Sequence, residues 1–400
     1  MSGLPWDTRY ERYVRMAGLY HLHQIGHIPT DHALISALAE RWRQETHTFH
    51  FPVGEMTITL QDVAILLGLR IDGKALCYGT DCNWTAVVRD LLGRVDDNVG
   101  DRTFRRRSKV AIKISWLRKH FSVCPEKASD ITVQQYARAY LLMLVGSLLF
   151  CDHSGDSISA IYLPLFEDFK KAGEYSWGSG VLAFLYKELC LATDIERKQF
   201  GGSVLLLQLW SWERLPMGRP RNRKKIRVPQ PGEDIEERPP LGYGWSEYHK
   251  YADNVTCRVL ESYRDEIDAL NDGKVIWLPY QDKMHKLPSF CKRDSKLWGT
   301  TVPLIHFWIV EMYNPGRVAR QLNCYQQIPP SFCNTMEELH RKKNGTGKDW
   351  VKEHRVYLQA WRKRDRCLID QKPYDHSQHD EYMRWFSGAA ILYLQPGGCT

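Results

Sequence analysis

Residues 30–69 carry the clearest pattern of apolar and polar positions in the chain. A cap at Thr30 or Asp31 is followed by an apolar face at helical spacing, which predicts a helix. That face consists of Leu34, Ile35, Leu38 and Trp42. Residues 48–51 then alternate polar and aromatic side chains, and residues 52–55 favour a turn. Residues 56–58 would form the second strand, which runs back beside the first. This part of the pattern predicts a β-hairpin.

A second helix is predicted to follow the hairpin at once. Thr59 and Asp62 have the spacing of a capping box, and Gly68 is suited to end the helix in the left-handed conformation. The predicted apolar face consists of Leu60, Val63, Ala64 and Leu67. A groove-reading helix-turn-helix would need a recognition helix next, but residues 70–74 are extended and turn-prone. We therefore interpret residues 30–69 as a packing module.

The remaining pattern is mostly helical. An amphipathic lead-in covers residues 9–27, and helices are predicted over residues 83–92, 112–121, 132–148, 181–191, 204–215, 255–270 and 302–313. Pro303 is tolerated in the first turn of the last of these. Asp349 is predicted to cap a last long helix with Trp350, His354 and Trp361 inward. The predicted fold class is mainly α, a helical bundle-like globular domain with a small β-hairpin module near the N-terminus.

Residues 216–244 interrupt the helical pattern. They are rich in proline, arginine and charge and have no hydrophobic period. Two interpretations stay open. The segment either joins two lobes, residues 1–215 and 245–400, or forms a basic, proline-rich surface excursion within one domain.

Composition narrows the classes of protein. Four hundred residues with 26% charged side chains favour a folded chain with a sizeable core. The eleven cysteines include no C-x-x-C motif, so neither a disulfide framework nor a zinc ribbon is expected. The longest apolar run, residues 139–150, is too short to cross a bilayer, and residues 1–14 lack a signal-peptide core. A soluble nuclear protein is expected, with a cytosolic one as the alternative.

Basic clusters are the features that point to a partner. The net charge of +8 favours anionic partners. Arg105, Arg106, Arg107 and Lys109 form a candidate nucleic-acid or partner-binding cluster. A second cluster in the excursion is typical of a nuclear-import signal and consists of Arg221, Arg223, Lys224, Lys225 and Arg227. A third, residues 362–366, is interpreted as structural, because cations suit the end of a helix.

Catalytic patterns are missing from the sequence. There is no G-x-S-x-G elbow, no Walker loop and no dinucleotide fingerprint, so no cofactor and no catalytic residue is assigned. The histidines between residues 21 and 50 have no carboxylate or cysteine at a familiar metal-ligand offset. An unrecognised metal-dependent activity is kept as a minor alternative to a non-enzyme.

Long segments in order resemble the plant mobile domain family, also called the aminotransferase-like plant mobile domain. They are TDHALISALAERWRQETHTFHFPVGEMTITLQDVAILLGLRIDG, ARAYLLMLVGSLLF, YSWGSGVLAFLYKELC, GGSVLLLQLWSWERLPMGRP and LWGTTVPLIHFWIVEMYNPGRVARQL. The resemblance covers nearly the whole chain and identifies residues 1–400 as a single plant mobile domain. It departs after residue 385, where SGAAILYLQPGGCT replaces the family's basic and aromatic ending.

The resemblance implies a non-catalytic nuclear protein. Host members of the family are linked to meristem maintenance, genome integrity and transposon silencing through protein interactions, some with a phosphatase-like partner. Other members are carried by transposons, which implies the alternative of a transposon-derived nucleic-acid-binding protein. Some relatives carry aminotransferase or phosphatase labels, but this chain shows neither a pyridoxal-phosphate lysine motif nor the metal-binding motifs of a phosphatase. No membrane or small-molecule partner is implied.

Overall fold

The computed structural model describes residues 3–95, 110–152, 155–193, 200–221, 223–224, 235–246, 259–329 and 347–390. Within these residues the fold is mainly helical, which confirms the predicted fold class. The helices are α1 (Glu11–Met16), α2 (Tyr20–Ile25), α3 (His32–Glu40), α4 (Leu60–Leu67), α5 (Trp84–Leu92), α6 (Ile114–Phe121), α7 (Asp130–Leu148), α8 (Phe169–Ala172), α9 (Trp177–Ala192), α10 (Val204–Arg214), α11 (Leu260–Asp268), α12 (Trp350–Glu353), α13 (Arg355–Arg362) and α14 (His376–Ala389).

Three small antiparallel sheets accompany the helices. Their strands are β1 (Trp42–Arg43), β2 (Thr48–Phe51), β3 (Gly54–Met56), β4 (Ala111–Lys113), β5 (Ser157–Ser159), β6 (Val302–His306) and β7 (Ile309–Tyr313). The first sheet has the order β1-β2-β3, the second pairs β4 with β5, and the third pairs β6 with β7. The predicted hairpin is therefore confirmed as β2–β3, while the short strand β1 beside it was not predicted.

The capping chemistry of α4 is as predicted. The Thr59 hydroxyl accepts from the Asp62 backbone N–H, and the Asp62 carboxylate accepts from the Thr59 backbone N–H. Gly68 ends the helix with a φ of +66°, which an L side chain rarely adopts. Every residue of α4 except Gln61 is buried. A helix enclosed on all sides cannot enter a DNA groove. Helix α4 therefore packs in the core and does not contact DNA bases.

Helices α7, α9 and α10 each contribute many buried residues to one hydrophobic core. Helix α9 packs against α4 on one side and against β6 and β7 on another. Elements from both sides of residues 216–244 contribute to this core, since α11 also packs on α3. None of the described helices has the length and apolarity needed to span a membrane.

The predicted helix over residues 302–313 is wrong. These residues form the hairpin β6–β7, with Val302 opposite Tyr313 and His306 opposite Ile309. The segment is rich in β-branched and aromatic side chains, which favour strands, and a uniformly apolar run does not distinguish a buried strand from a buried helix. The hairpin turns at Phe307, whose φ is +48°.

The single long helix predicted after Asp349 is also wrong. Asp349 does cap α12, but the helix is interrupted at His354, whose φ and ψ are −100° and 21°, before α13 begins. Trp350, His354 and Trp361 are buried, as predicted. An unpredicted helix, α14, follows and buries Tyr382 and Phe386. Thus the departure from the family pattern after residue 385 leaves α14 in place through Ala389.

Candidate partner-binding site

The sequence-predicted basic residues are only partly described. Arg105, Arg106, Arg107 and Lys109 lie outside the described residues, as do Lys225 and Arg227. Arg221, Arg223 and Lys224 are described and lie beside the C-terminal end of α10. This neighbourhood provides the best-built candidate site in the described part of the chain.

The site rests on a buried ion pair between α4 and α10. The Arg214 Nε and Nη2 atoms donate to Asp62 Oδ1 at 3.0 and 2.8 Å. The Tyr280 hydroxyl donates to the same oxygen at 2.7 Å, while the other oxygen accepts from Thr59. The side chains of Asp62 and Arg214 are both 0% exposed. Because each polar atom of the carboxylate has a donor, the burial of this charge is compensated.

Arg214 also positions one wall of the site. Its Nη1 donates to the Trp277 carbonyl at 2.6 Å, and its backbone carbonyl accepts from the Ile276 N–H at 2.9 Å. Residues 276–279 are thereby fixed against the end of α10. This leaves the Ile276 side chain 39% exposed at the rim.

Glu213, next to Arg214, forms the floor of the site. Its carboxylate accepts from Trp245 Nε1 at 2.8 Å and forms ion pairs with Arg223 at 2.9 Å and Lys283 at 3.3 Å. The Glu213 side chain is 3% exposed. A single buried carboxylate therefore holds together three segments that are distant in sequence.

Arg223 and Lys224 are folded onto the turn at residues 241–245. The Arg223 guanidinium lies 4.8 Å from the Trp245 ring centroid, and its Nη2 donates to the Leu241 carbonyl. The Lys224 backbone N–H donates to the Gly244 carbonyl at 2.8 Å. These contacts engage two cations of the predicted import signal, and that signal stays a prediction.

The turn at residues 241–245 is seated directly on α4. A Cβ added at Gly242 would lie 2.3 Å from the Leu66 carbonyl oxygen, which no side chain tolerates. Only glycine permits this approach. Therefore α4, the turn and the end of α10 form one fixed frame around the site.

Arg219 and Arg221 complete the site and are not paired with a carboxylate of the described residues. Arg219 Nη2 donates to the carbonyls of Glu213 and Leu215, each at 3.2 Å, while its Nε is buried without a hydrogen-bond partner in the described structure. Burial lowers the pKa of Arg219, although Glu213 acts in the opposite direction. Arg221 is exposed. An anion bound in the site would offset the free-energy cost of burying the Arg219 charge.

The cavity between these residues, here called the Glu213 pocket, has a volume of about 260 Å³. It is lined by Trp212, Glu213, Arg219, Pro220, Arg221, Arg223, Trp245, Ile276, Pro279 and Lys283. Four cations and one carboxylate thus face a cavity with aromatic and aliphatic walls. The combination is suited to an anionic group carried on a short apolar stem.

A larger groove at the N-terminal helices differs in charge. It has a volume of about 550 Å³ and includes Arg9, Arg12 and Arg15. Each of these arginines is already paired, with Asp7, Asp130 and Glu11 respectively. The groove therefore lacks the unpaired positive charge of the Glu213 pocket.

Helix α13 presents a second basic surface. Its inner side packs through the buried Trp361, while Arg355, Gln359, Arg362 and Lys363 are exposed. No carboxylate of the described residues pairs with these three cations. Of the cluster interpreted as structural, Arg364 does have a structural contact, because its Nε donates to Asp72 at 2.6 Å. The other cations of the cluster project into solvent.

Other groups capable of acid–base chemistry are enclosed in the core. Glu55 accepts from Arg317 Nε at 2.8 Å and from the Tyr382 hydroxyl at 2.9 Å. Burial alone would raise the pKa of Glu55, but bonding to His50 and the charge of Arg317 lower it. His47 lies 3.2 Å from Glu311, and both side chains are at most 3% exposed.

The histidines singled out in the sequence do not converge. His21 stacks on Phe290, whereas His23 stacks on Trp6 and bonds to the Tyr140 hydroxyl at 2.6 Å. Across the described ranges, no group of three or more His, Cys, Asp or Glu side chains is arranged to hold a metal ion.

Comparison with known proteins identifies the family. The model of the plant mobile domain matches residues 18–387, which includes every element that forms the Glu213 pocket. The chain belongs to the plant mobile domain family. The resemblance found in the sequence is therefore confirmed.

Three relatives from Arabidopsis thaliana illustrate the similarity. A "Serine/threonine-protein phosphatase 7 long form homolog" is 38% identical over 99% of this chain and 29% of its own length. "Protein MAIN-LIKE 2" is 37% identical over 94% of this chain and 54% of its own. "Protein MAINTENANCE OF MERISTEMS" is 32% identical over 95% of this chain and 74% of its own. The chain thus spans less than a third of the first relative and about half of the second. A search of the solved structures finds no match.

Sequence reasoning missed most of the Glu213 pocket. Arg221 and Arg223 were singled out as import residues, but Glu213, Trp245 and Lys283 carried no recognisable motif. Their convergence depends on pairings over long sequence separations, which periodicity does not detect. The sequence does contain fourteen tryptophans. This abundance was the one available signal, because Trp is enriched where proteins bind partners.

Proposed function

We propose that this chain is a non-catalytic nuclear protein that acts through protein contacts in meristem maintenance, genome integrity and transposon silencing. Its membership of the plant mobile domain family supports this proposal, as does its similarity to a protein named for the maintenance of meristems. Nuclear localisation and the individual processes are part of the proposal.

One observation carries the non-catalytic part of the proposal. Three carboxylates of the core, Asp62, Glu55 and Glu311, are at most 1% exposed as side chains. Each is engaged by a cation or a histidine of another element. A substrate cannot reach them without breaking a buried pair, so they hold elements together.

One relative is named as a homolog of a phosphatase, but we do not propose phosphatase activity for this chain. That relative is more than three times as long as the part that matches. We expect the purified chain to hydrolyse p-nitrophenyl phosphate, in the presence of manganese, no faster than a heat-denatured sample. Hydrolysis that follows the folded protein through chromatography would contradict a non-catalytic function.

Proximity labelling in plant nuclei tests the protein-contact function. The chain fused to a biotin ligase is expected to accumulate in nuclei and to label a reproducible set of proteins. The control is the same ligase carrying only a nuclear-import signal. If the two label the same proteins, the proposed function fails.

The exposed cations of α13 favour nucleic-acid binding as a second candidate function. Arg355 and Arg362 lie seven residues apart on one face, about 10 Å along the helix axis. We expect salt-dependent binding to duplex DNA, with the slope of log affinity against log salt falling by about three when Arg355, Arg362 and Lys363 become Ala. Arg105, Arg106 and Arg107 are tested in the same way. The exposed Lys170 and Lys171, changed to Ala, serve as the control, and a salt slope that none of these changes alters argues against this function.

A further inference from the structure

We propose that the Glu213 pocket binds a single anionic side chain of a peptide from a protein partner. The inference rests on the proposed protein-contact function and names the site and chemistry of the contact. Its occupant is a glutamate, aspartate or phosphorylated serine or threonine side chain, all of which present an anion on a short stem.

The charge of the pocket determines the sign of the ligand. Glu213 already accepts from Arg223, Lys283 and the Trp245 indole. The Glu213 charge is therefore neutralised by cations of the protein itself. By contrast, Arg219 and Arg221 have no carboxylate partner among the described residues. Guanidinium groups bind carboxylates and phosphates through paired hydrogen bonds.

The size of the pocket determines the scale of the ligand. Sites for free small molecules span about 300–1,000 Å³ and enclose most of the ligand. The Glu213 pocket has about 260 Å³ and is partly open, which suits one side chain better than a whole metabolite. Thus the anion is expected to be attached to a chain that continues over the surrounding surface.

The rim supplies the apolar contacts that a peptide needs. Ile276 is 39% exposed, and Pro220, Pro279 and Trp245 line the wall. Aromatic and arginine side chains dominate the energetic centres of protein interfaces. A partly exposed isoleucine beside them offers contact to the residues flanking the anion.

The pocket is preorganised for this role. Arg223 is held against Trp245, while the Arg214–Asp62 pair fixes the opposite wall. Since these contacts already hold Arg223 and residues 276–277 in place, binding requires little rearrangement beyond the exposed Arg221 side chain. Preorganisation of this kind lowers the entropic cost of binding.

The test uses the full chain labelled with 5-fluorotryptophan and three blocked peptides, acetyl-Gly-Xaa-Gly-amide with Xaa as Glu, phosphoserine or Gln. The Trp245 fluorine resonance is identified from its loss in Trp245→Phe. We expect the Glu and phosphoserine peptides to shift this resonance and the Gln peptide to leave it unchanged. Tighter binding by the phosphoserine peptide assigns a phosphorylated partner, tighter binding by the Glu peptide assigns a carboxylate, and equal binding shows that the pocket accepts either anion.

Variants locate the binding. Arg221→Glu is expected to weaken the binding of both anionic peptides by about tenfold or more. Because Arg221 is exposed, this variant should keep the dispersed fluorine spectrum of a folded chain. Arg355→Glu makes the same charge change on the remote helix α13 and is expected to bind the peptides like the unmodified chain.

The inference fails if neither anionic peptide shifts the Trp245 resonance or if the Gln peptide shifts it equally. It also fails if Arg221→Glu leaves binding unchanged or if Arg355→Glu weakens binding to the same extent. A 20-base-pair DNA duplex that shifts the Trp245 resonance at lower concentration than either peptide would likewise overturn it in favour of nucleic acid.

The same variants separate this inference from the proposed function. If Arg221→Glu loses the peptides but labels the same nuclear proteins, the pocket is not the partner site and the protein-contact function still holds. If the unmodified chain labels no specific proteins, the proposed function fails whatever the peptides do.

Discussion

Asp62 and Arg214 lie 152 residues apart in sequence, and their side chains meet in the core with no exposure to solvent. Asp62 is also the residue that closes the capping box of α4. One carboxylate therefore starts a helix and joins it to α10. This pair links the segment by which the family is recognised to the frame of the Glu213 pocket.

Removing Arg214 should strongly destabilise the chain. Arg214→Ala leaves the Asp62 charge buried without its cation, so we expect the free energy of unfolding to fall by about 3–5 kcal/mol. Urea unfolding followed by tryptophan fluorescence measures this loss. The matched control, Arg264→Ala, breaks an ion pair with Glu40 that is substantially exposed and should cost no more than about 1 kcal/mol. Equal losses of unfolding free energy in the two variants would show that the buried pair contributes no more stability than the exposed one.

The stability of the chain should fall in acid because of His306. Burial lowers its pKa to about 3, whereas the unfolded chain has a histidine pKa of about 6.5. As pH falls, the unfolded chain takes up the proton first, so this contribution to stability is complete above about pH 6.5 and is lost towards pH 3. The slope is at most about 1.4 kcal/mol per pH unit.

His306→Phe should flatten this dependence of unfolding free energy on pH between about 6 and 4. Phenylalanine suits the site because His306 lies among the rings of Phe150, Phe184 and Tyr162. The exposed His376, changed to Gln, is the control. An unaltered slope in His306→Phe would assign the acid sensitivity elsewhere.

Tyr382 should anchor the C-terminal helix α14. Its hydroxyl donates to the buried Glu55 carboxylate at 2.9 Å, and hydrogen bonds to charged groups contribute about 1.5–3 kcal/mol. Tyr382→Phe is expected to destabilise the chain by that amount and to speed hydrogen exchange in residues 376–389. Ser387→Ala on the exposed side of the same helix should change neither quantity. Unchanged exchange in Tyr382→Phe would mean that packing alone holds α14.

The described cysteines should differ sharply in reactivity. Cys367 is exposed, whereas Cys190 and Cys291 are buried, and burial raises the pKa of Cys291 to about 12. Since the thiolate is the reactive form, iodoacetamide at pH 8 should label Cys367 first in the folded chain. Peptide mapping before and after denaturation measures the order. Early labelling of Cys291 would contradict the packing around it.

Local chemistry explains which elements were predictable. The capping box at Thr59, the left-handed Gly68 and the hairpin over residues 48–56 each depend on residues close in sequence, and each is confirmed. The segment at residues 302–313 had no such signal, because its apolar run fits a buried helix or strand equally well. Its identity as β6–β7 is settled by packing against α9.

The candidate site was less predictable than the fold for a related reason. A basic run marks Arg221 and Arg223 in the sequence, but their meaning depends on Glu213 and Trp245, which approach only in the folded chain. Charge patterns reveal that cations are present. They do not reveal which of them are neutralised by a distant carboxylate.

The long separations of the buried pairs set an order of events during synthesis. Asp62 leaves the ribosome well before its partners Arg214 and Tyr280, and Glu55 must wait 327 residues for Tyr382. Asp62 and Glu55 therefore emerge before the distant partners that they contact in the folded chain. Non-local contacts of this kind slow folding, so residues 30–69 are expected to reach their final form only after residue 382 has been synthesised.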